Sequence, residues 1–500
     1  MTRPLGAAAN AAGWERSAHN TQQLGNSNMI SRILHRLMLV SALLAVSQVQ
    51  ARTYVVVGNA GKLPAKLDAA VNAAGGTVVR SLPQIGVAIV ESSSSGFGAS
   101  LGKVAGLDAV LPDARITPAL PVVGATLAIE DGATLPANHT SLVTDAWAAL
   151  QWNLDAVDAG TAWQAGQFGT GVRVAVLDSG LASAHIDLAA NVNTALCASF
   201  IPGEAYNLTG TGFNHGTHVA GIIAAGANGV GTVGVAPKAE IVSVKVLSAL
   251  TGSGSFGALI SGLVYAADID AKVVNMSLGA EFPRAGYIDD NGTPADPSDD
   301  VKVGANEISS LINAVSRATT YAYQKGVTLV ASAGNSGIDR DHDGNIYALP
   351  ADCAHVISVS ATGPTGWAVD PGTDLDVLAS YSNYGQSRID LAAPGGDALY
   401  PYDDISVIGG IVQYTWVFDM VFAPSNRVGT SNRYSWAAGT SMAAPHVSAI
   451  AAIIIGRNGG RMKPSAVLAA LRASADDLGK PGNDDAYGAG RVNAGRAATQ

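Results

Sequence analysis

The pattern of apolar positions divides the chain into a short first unit and a much longer second one. From Gln151 onward, nearly continuous apolar runs alternate with stretches of helical periodicity. Predicted strands cover 172–177, 240–247, 272–276, 327–333 and 356–360, and predicted helices cover 256–269, 308–324 and 442–455. Strands that are apolar throughout are buried on both faces, so the pattern predicts a three-layer α/β/α fold around a mostly parallel sheet. Chemistry in such sheets collects at the carboxyl ends of the strands.

The first unit, residues 52–116, has a different pattern of shorter elements. Predicted strands cover 53–57, 77–82, 86–90 and 108–111, and predicted helices cover 62–74 and 98–105. The order βαββαβ predicts a small ferredoxin-like α+β domain. Because this unit has no cluster of catalytic residue types, we expect its role not to be chemical. Residues 117–150, rich in Pro, Ala, Gly and Thr, are predicted to be a linker with weak structure.

Residues 1–51 carry the features of a secretory signal peptide after an N-terminal extension. A basic stretch opens at Met29, the apolar run Leu37–Val46 follows, and small residues end at Ala51. The apolar run is too short to span a bilayer comfortably. We therefore expect a secreted protein with no stable membrane insertion after cleavage of the signal. An uncut N-terminal anchor is the alternative.

Composition and charge narrow the possible functions. The chain has 500 residues, of which 48% are apolar and 14% charged, so most of it is expected to fold around a large core. The net charge of −10 argues against nucleic-acid binding, because no basic face is available to neutralise phosphates. Cys197 and Cys353 allow either one disulfide or two buried thiols. Two polar stretches, 289–300 and 400–434, are predicted to be surface insertions near the rim of the sheet.

Three segments contain residue types that serve nucleophilic catalysis. Asp178 ends a buried strand and is followed by Ser-Gly. His215 lies in Asn-His-Gly-Thr-His-Val-Ala-Gly, and Ser441 lies in Gly-Thr-Ser-Met-Ala-Ala-Pro-His. Each residue alone has an ordinary structural explanation, for instance a serine that caps a helix. Only their joint occurrence in this order favours a catalytic function.

From Gln151 to the end, the chain resembles the subtilisin-like serine proteases, the subtilase family. The resemblance rests on the three motifs and on their order Asp, His, Ser. It implies a subtilisin-like peptidase domain over 151–500 in which Asp178, His215 and Ser441 form a catalytic triad. By the same resemblance, Asn335 in Ala-Ser-Ala-Gly-Asn is the side-chain donor to the oxyanion. It also implies that Ser277, Leu278 and Gly279 pair with the substrate backbone.

The chemistry explains why these residue types are needed. A serine hydroxyl is a poor nucleophile at neutral pH, so it needs a base within hydrogen-bond reach. The histidine accepts that proton and later donates it to the leaving amine, while the aspartate orients the imidazole and stabilises the imidazolium. A serine at a helix start also lies beside free backbone N–H groups that stabilise the developing oxyanion.

Two calcium sites are predicted as structural cofactor sites. The resemblance implies that Asp187 and Asn228 bind one Ca²⁺ ion. Carboxylate and amide oxygens are hard ligands that suit this cation. The second is read from the loop ligands Asp339, Asp341, Asp343 and Asn345, which resemble the beginning of an EF-hand loop. The loop has Pro350 where an EF-hand carries its bidentate Glu, so a solvated acidic turn is the equal alternative. No organic cofactor is expected.

The first unit acquires a role from the resemblance, because subtilases commonly carry a propeptide of this plan. It implies that residues 52–116 assist folding and inhibit the enzyme until a cut between Thr117 and Leu150 removes them. The sequence thus predicts a monomeric, autoprocessed serine endopeptidase that acts on proteins or peptides, with its own propeptide as intramolecular inhibitor. A dedicated processing protease for one secreted peptide is the main alternative. A non-catalytic binding protein is disfavoured because the triad residues and Asn335 are all present, and an esterase side activity is compatible with the same chemistry.

Overall fold

A computed structural model describes residues 51–116, 122–130, 147–290, 297, 300–343 and 345–500. The predicted signal peptide lies outside these residues. Within the described ranges, every helix is too short or too polar to cross a membrane.

The first unit folds as a four-stranded antiparallel sheet with two helices on one face. Its strands and helices are β1 (Arg52–Gly58), α1 (Leu67–Ala73), β2 (Gly76–Leu82), β3 (Val87–Ser92), α2 (Phe97–Leu101) and β4 (Leu107–Pro112). The strand order β2-β3-β1-β4 confirms the ferredoxin-like prediction. Side chains alternate across β1, so Val56 packs under the two helices whereas Val55 and Val57 face the larger domain. This small domain is therefore held by apolar contacts on both faces of its sheet.

The remaining elements build the larger domain and the segment that leads to it. Its helices are α3 (Trp152–Ala156), α4 (Ala159–Gln164), α5 (His215–Ala224), α6 (Phe256–Asp268), α7 (Ala305–Gln324), α8 (Thr415–Phe418), α9 (Thr440–Arg457), α10 (Pro464–Ser474) and α11 (Ala494–Thr499). Its strands are β5 (Arg115–Ile116), β6 (Val122–Glu130), β7 (Arg173–Asp178), β8 (Ala198–Ser199), β9 (Glu240–Lys245), β10 (Gly254–Ser255), β11 (Val273–Met276), β12 (Ala280–Pro283), β13 (Gly286–Asp289), β14 (Val301–Gly304), β15 (Thr328–Ser332), β16 (Ile346–Leu349), β17 (Val356–Thr362), β18 (Leu391–Pro394), β19 (Ile405–Ile408), β20 (Ile411–Tyr414), β21 (Val421–Val428) and β22 (Ser431–Ala438).

The large sheet confirms the predicted three-layer α/β/α architecture. Among the described residues, seven parallel strands follow the order β18-β17-β15-β11-β7-β9-β8. Helices α5, α9, α10 and α11 contribute to the apolar cluster on one face, and α6 and α7 contribute to the cluster on the other. Strands β15, β11 and β7 are direct neighbours, so the residues that follow them meet at one edge of the sheet.

The linker prediction was wrong for part of its length. Residues 122–130 form strand β6, which pairs antiparallel with β22 as the edge of a three-stranded sheet. Ile129 in this strand is buried. The apolar and small residues of β6 suit such pairing, but the partner strand lies about 300 positions later in the chain. Residues 117–121 and 131–146 lie outside the described parts.

The second predicted insertion, 400–434, is exposed only in its first part. Strands β19 and β20 form a hairpin whose Ile405, Val407 and Val412 are exposed. The rest was wrongly predicted to be surface, because α8, β21 and β22 bury large side chains, including Phe418 and Tyr434, and β21 packs against helix α5. Most of the first insertion, 289–300, lies outside the described residues, and its flanks form the hairpin β13–β14.

Candidate active site

Asp178 and His215 form the hydrogen-bonded pair that the motifs predict. Asp178 is the last residue of β7 and is 1% exposed. Both of its carboxylate oxygens lie 2.9 Å from Nδ1 of His215, and Oδ1 also accepts the backbone N–H of Ser179 at 2.6 Å. A buried carboxylate in this position fixes the imidazole ring with Nδ1 protonated and Nε2 facing away from it.

His215 occupies its place because it begins helix α5. The N-cap is Asn214, whose Oδ1 accepts the N–H of Thr217 at 2.9 Å. The Nε2 atom of His215 is buried and has no hydrogen-bond partner within the described residues. An unpaired, buried imidazole nitrogen is costly for structure alone, and it is the atom that a catalytic base uses to accept a proton.

Ser441 is the second residue of helix α9 and not its cap. The N-cap is Gly439, which makes no side-chain hydrogen bond. In the structure the hydroxyl of Ser441 donates to the backbone carbonyl of Ser277 at 3.3 Å, so its resting partner is this carbonyl and not His215. Helix α9 packs against helix α5, which brings the serine and histidine helices together.

Asn335 follows strand β15 and is oriented by the residue before Ser441. Its Oδ1 accepts the N–H of Thr440 at 2.9 Å and the Thr440 hydroxyl at 2.6 Å. A carboxamide held through its oxygen presents its N–H₂ group on the opposite side. Asn335, Thr440 and Ser441 all line one cavity of about 320 Å³. The predicted donor and the predicted nucleophile therefore share a cavity.

The wall of this cavity is largely apolar. Leu278 and Gly279, which were predicted to bind substrate, belong to it, and Ser277 lies just outside it. The lining is completed by Ala280, Glu281, Ser332, Ala333, Gly334, Ser336, Ala348, Leu349 and Ala351. Glu281 was not found from the sequence. Its carboxylate accepts from the buried amide of Asn383 at 2.7 Å and from the Ser336 hydroxyl at 2.9 Å.

The other two motif histidines are packed as structural residues. His218 is fully buried with Nε2 2.9 Å from the Ser435 carbonyl, and His446 lies 2.9 Å from the amide nitrogen of Asn153. Burial lowers the pKa of His218 to about 3 and that of His446 to about 4, so both are neutral at physiological pH.

Both cysteines are free thiols in the structure. Burial raises the pKa of Cys197 to about 11 and that of Cys353 to about 12. Because the thiolate is the reactive form, neither residue is suited to be a nucleophile.

Asn228 lies beside the residue before Asp187, since its Nδ2 donates to the Ile186 carbonyl at 3.2 Å. Hydrogen-bond donors of the protein surround the Asp187 carboxylate. Oδ2 of Asp187 accepts the N–H and the hydroxyl of Thr232, both at 2.9 Å, and Oδ1 accepts the Tyr434 hydroxyl at 3.0 Å. The side-chain oxygen of Asn228 accepts the N–H of Val230 at 3.0 Å. Calcium needs converging oxygens that are not occupied in this way. This arrangement therefore does not fit the predicted calcium site.

The acidic loop after Asn335 does not fit a calcium ion either. Asp339 accepts hydrogen bonds from Asp341 N–H at 3.0 Å and from Nδ1 of His342 at 2.6 Å. The Asp341 carboxylate accepts hydrogen bonds from the N–H of Ser387 at 3.0 Å and from the Ser387 hydroxyl. The backbone N–H of Asp343 donates to the carbonyl of Asp339, and that of Asn345 donates to Asp343. Among the described residues, no group of three or more His, Cys, Asp or Glu side chains could hold a metal ion.

The fold and the site together define a class of protein. A three-layer α/β/α domain carries a buried Asp–His pair, and a serine at a helix start shares a cavity with an amide donor. This is the arrangement of a serine peptidase of the subtilisin type.

Comparison with known proteins gives the family. Residues 169–490 match the model of the Subtilase family, so the chain belongs to this family and is a serine-type endopeptidase. It is 34% identical over 388 residues to M-protease of Shouchella clausii (strain KSM-K16), covering 76% of this chain and 80% of that protein. It is 35% identical over 352 residues to subtilisin Savinase of Lederbergia lenta, covering 70% of this chain and 99% of that protein.

A solved structure extends the similarity of fold to the N-terminal side. The epidermin leader peptide processing serine protease from Staphylococcus aureus matches with a TM-score of 0.66 at 20% identity, over 90% of this chain and 98% of that one. A lanthipeptide protease matches with a TM-score of 0.56 at 28% identity, over 73% of this chain and 99% of that one.

Proposed function

We propose that the chain is a secreted serine endopeptidase, made as an autoprocessed zymogen, with Asp178, His215 and Ser441 as its triad. The observation that carries the triad is the hydrogen bond of 2.9 Å between Asp178 and Nδ1 of His215, whose Nε2 is left unpaired within the described residues. In this proposal Nε2 of His215 accepts the proton of Ser441, whose oxygen attacks the peptide carbonyl to form an acyl-enzyme. The imidazolium then donates that proton to the leaving amine.

Asn335 is proposed to stabilise the oxyanion together with the start of helix α9. Its orientation by Thr440 supports this role, because an amide that is already fixed needs no reorganisation when charge develops. Substrate is proposed to pair with the backbone of Ser277–Gly279 and to place the side chain before the cut in the adjoining cavity. Backbone pairing gives affinity without requiring a particular sequence.

Residues 52–116 are proposed to be an inhibitory propeptide, cut from the peptidase between Thr117 and Leu150. Two contacts support this. Arg115 and Ile116 add an antiparallel strand to Gly254 and Ser255, and Ile116 is fully buried. The Asp113 carboxylate accepts the N–H of Gly257 at 2.8 Å at the start of helix α6. An extended segment held as an added strand is the way in which a peptide binds a sheet edge.

Secretion is proposed from the signal-peptide pattern of residues 29–51, and the enzyme is proposed to act as a monomer on protein or peptide substrates. The mature N-terminus, read by mass spectrometry of the exported protein, tests the first part. Light scattering of the same sample tests the second.

The variant Ser441→Ala tests the catalytic proposal. It should lose peptide hydrolysis and remain at full length after the signal, because the nucleophile for both reactions is gone. Ser474→Ala, which removes a buried hydroxyl bonded within helix α10, is the matched control and should be processed normally. A processed and active Ser441→Ala protein would contradict the assignment of Ser441 as the nucleophile.

A second candidate function is a dedicated processing protease for one secreted peptide. Two of the similar solved structures, an epidermin leader peptide processing serine protease and a lanthipeptide protease, favour it. Mass spectrometry of a denatured protein mixture after incubation with the enzyme separates the two. Many cuts with varied flanking residues support a broad endopeptidase, and cuts confined to one rare motif support the processing role.

A further inference from the structure

The backbone carbonyl of Ser441 lacks its regular helical partner. In an α-helix, the carbonyl of residue i accepts the N–H of residue i+4. Four residues after Ser441 is Pro445, which lies inside helix α9 and has no N–H. Ser441 is only 3% exposed, so a carbonyl at this point needs a donor from the protein.

Ser277 supplies that donor from the neighbouring strand end. Its hydroxyl donates to the Ser441 carbonyl at 2.7 Å. Its own carbonyl accepts the Ser441 hydroxyl at 3.3 Å. Ser277 thus contacts the backbone and the side chain of the proposed nucleophile at once.

The hydroxyl of Ser277 is itself fixed by a buried chain of hydrogen bonds. Asn275 donates from Nδ2 to the Ser277 oxygen at 2.9 Å, and the Ser448 hydroxyl donates to Oδ1 of Asn275 at 2.8 Å. Asn275, Ser277 and Ser448 are all 0% exposed. Ser448 lies on helix α9, two turns after Ser441, so the chain of bonds leaves the helix, crosses strand β11 and returns to the same helix.

We propose that Ser277 is a positioning residue that replaces the hydrogen bond missing at Pro445, with Asn275 and Ser448 holding it in place. Its single hydroxyl proton goes to the Ser441 carbonyl, so Ser277 is not a second nucleophile. It fixes the peptide groups of the first turn of α9, whose N–H groups face the oxyanion. The inference rests on the proposed role of Ser441 as nucleophile. It predicts an effect on turnover that is separate from substrate affinity.

The first test compares the steady-state kinetics of Ser277→Ala and Ser474→Ala with those of the wild type. Loss of one neutral buried hydrogen bond corresponds to about a tenfold change, so we expect kcat of Ser277→Ala to fall about tenfold with KM unchanged. Ser474→Ala loses a buried hydroxyl that does not line the cavity and should keep the wild-type kcat. Unchanged kcat in Ser277→Ala, or an equal loss in Ser474→Ala, would overturn the proposal.

The second test restores the missing donor in another way. In Ser277→Ala combined with Pro445→Ala, the new N–H at position 445 can donate to the Ser441 carbonyl, so kcat should recover above that of Ser277→Ala alone. A well-folded double variant without recovery overturns the proposal. If this variant does not fold, Ser448→Ala decides the question instead. Added to Ser277→Ala it should reduce kcat no further, because both act through one chain of bonds, and independent, multiplying losses would overturn the inference.

An organophosphorus probe separates failure of the inference from failure of the proposed function. The probe should label Ser441 in the wild type, and Ser441→Ala should stay unlabelled. Wild-type protein that is labelled elsewhere contradicts the triad assignment. Labelling at Ser441 that is equally fast in wild type and Ser277→Ala contradicts only the positioning role.

Discussion

The regions around Asp178 and Asp187 show how two similar carboxylates acquire different roles. The residues lie nine positions apart, and each is 1% exposed. Asp178 accepts from a histidine that can change its protonation state and whose second nitrogen is unpaired within the described residues. Asp187 accepts from Thr232 and from the hydroxyl of Tyr434, and neither donor is an imidazole. Burial is therefore common to both, and a partner that can move a proton is what suits Asp178, and not Asp187, to the proposed catalytic role.

Within this comparison, the largest expected effect is that of Asp178→Asn. An amide at this position favours the wrong tautomer of His215, so kcat should fall about 10⁴-fold while the fold is kept. Asp187→Asn is the matched change in the other region and should leave kcat per folded molecule close to the wild-type value. Kinetics of the two purified variants check this, and equal losses would remove the distinction between the regions.

The next effect concerns Asn335. Asn335→Ala removes the proposed oxyanion donor and should lower kcat about 10²–10³-fold with little change in KM. Burst titration gives the concentration of active sites, so that misfolded protein does not imitate the loss. A change confined to KM would instead assign Asn335 to ground-state binding.

A third carboxylate, that of the partly buried Asp113, sharpens the comparison through pH. Burial raises its pKa to about 6 at the contact with helix α6, and the nearby charge of Asp289 adds to the rise. Because the pKa is raised in the folded protein, the stabilising contribution of Asp113 is complete below about pH 4. It is lost as the pH rises through 6. The full difference is at most about 3 kcal/mol, reduced by partial exposure.

The melting temperatures of Ser441→Ala and of Ser441→Ala with Asp113→Asn, measured from pH 4 to pH 7, isolate this effect. The stability advantage of the aspartate over the asparagine that replaces it should shrink across the range, while the titration of His218 and His446 cancels between the two proteins. A constant difference would show that Asp113 does not titrate at the contact.

The smallest expected effect comes from Tyr434→Phe. Loss of the hydrogen bond to Asp187 should lower the free energy of unfolding by about 1–3 kcal/mol, because a buried acceptor loses a donor. Kinetics should not change. Thermal melts with and without a chelator complete the test. Because protein donors already surround Asp187, we expect the chelator to leave the melting temperature unchanged. If the chelator lowers the melting temperature by more than Tyr434→Phe does, calcium, and not Tyr434, stabilises this region.

Much of the fold followed from the sequence because its signals are local. Apolar strands and periodic helices predicted the parallel sheet, and the order of elements in residues 52–116 predicted the ferredoxin-like domain. Strand β6 was missed because its partner β22 lies about 300 positions away. The burial of 400–434 was missed because it comes from β6 and from helix α5, both distant in the chain. Asn275 is two residues before Ser277 and Ser448 is seven after Ser441, spacings that put them on shared faces of strand and helix, but such spacing alone does not single them out.

What the sequence by itself determined is the set of candidate groups: an aspartate at a strand end, a histidine and a serine in their motifs, and Asn335 after another strand. Their residue types and local elements depend on neighbours along the chain. Only the tertiary structure decided which groups meet. It places His215 in a hydrogen bond with Asp178 and Tyr434 in a hydrogen bond with Asp187. It also places the Ser277 hydroxyl as donor to the Ser441 carbonyl, because Pro445 has no N–H to donate. The physical reason is that a buried polar atom must find a partner, and that partner is chosen by packing between elements far apart in the chain.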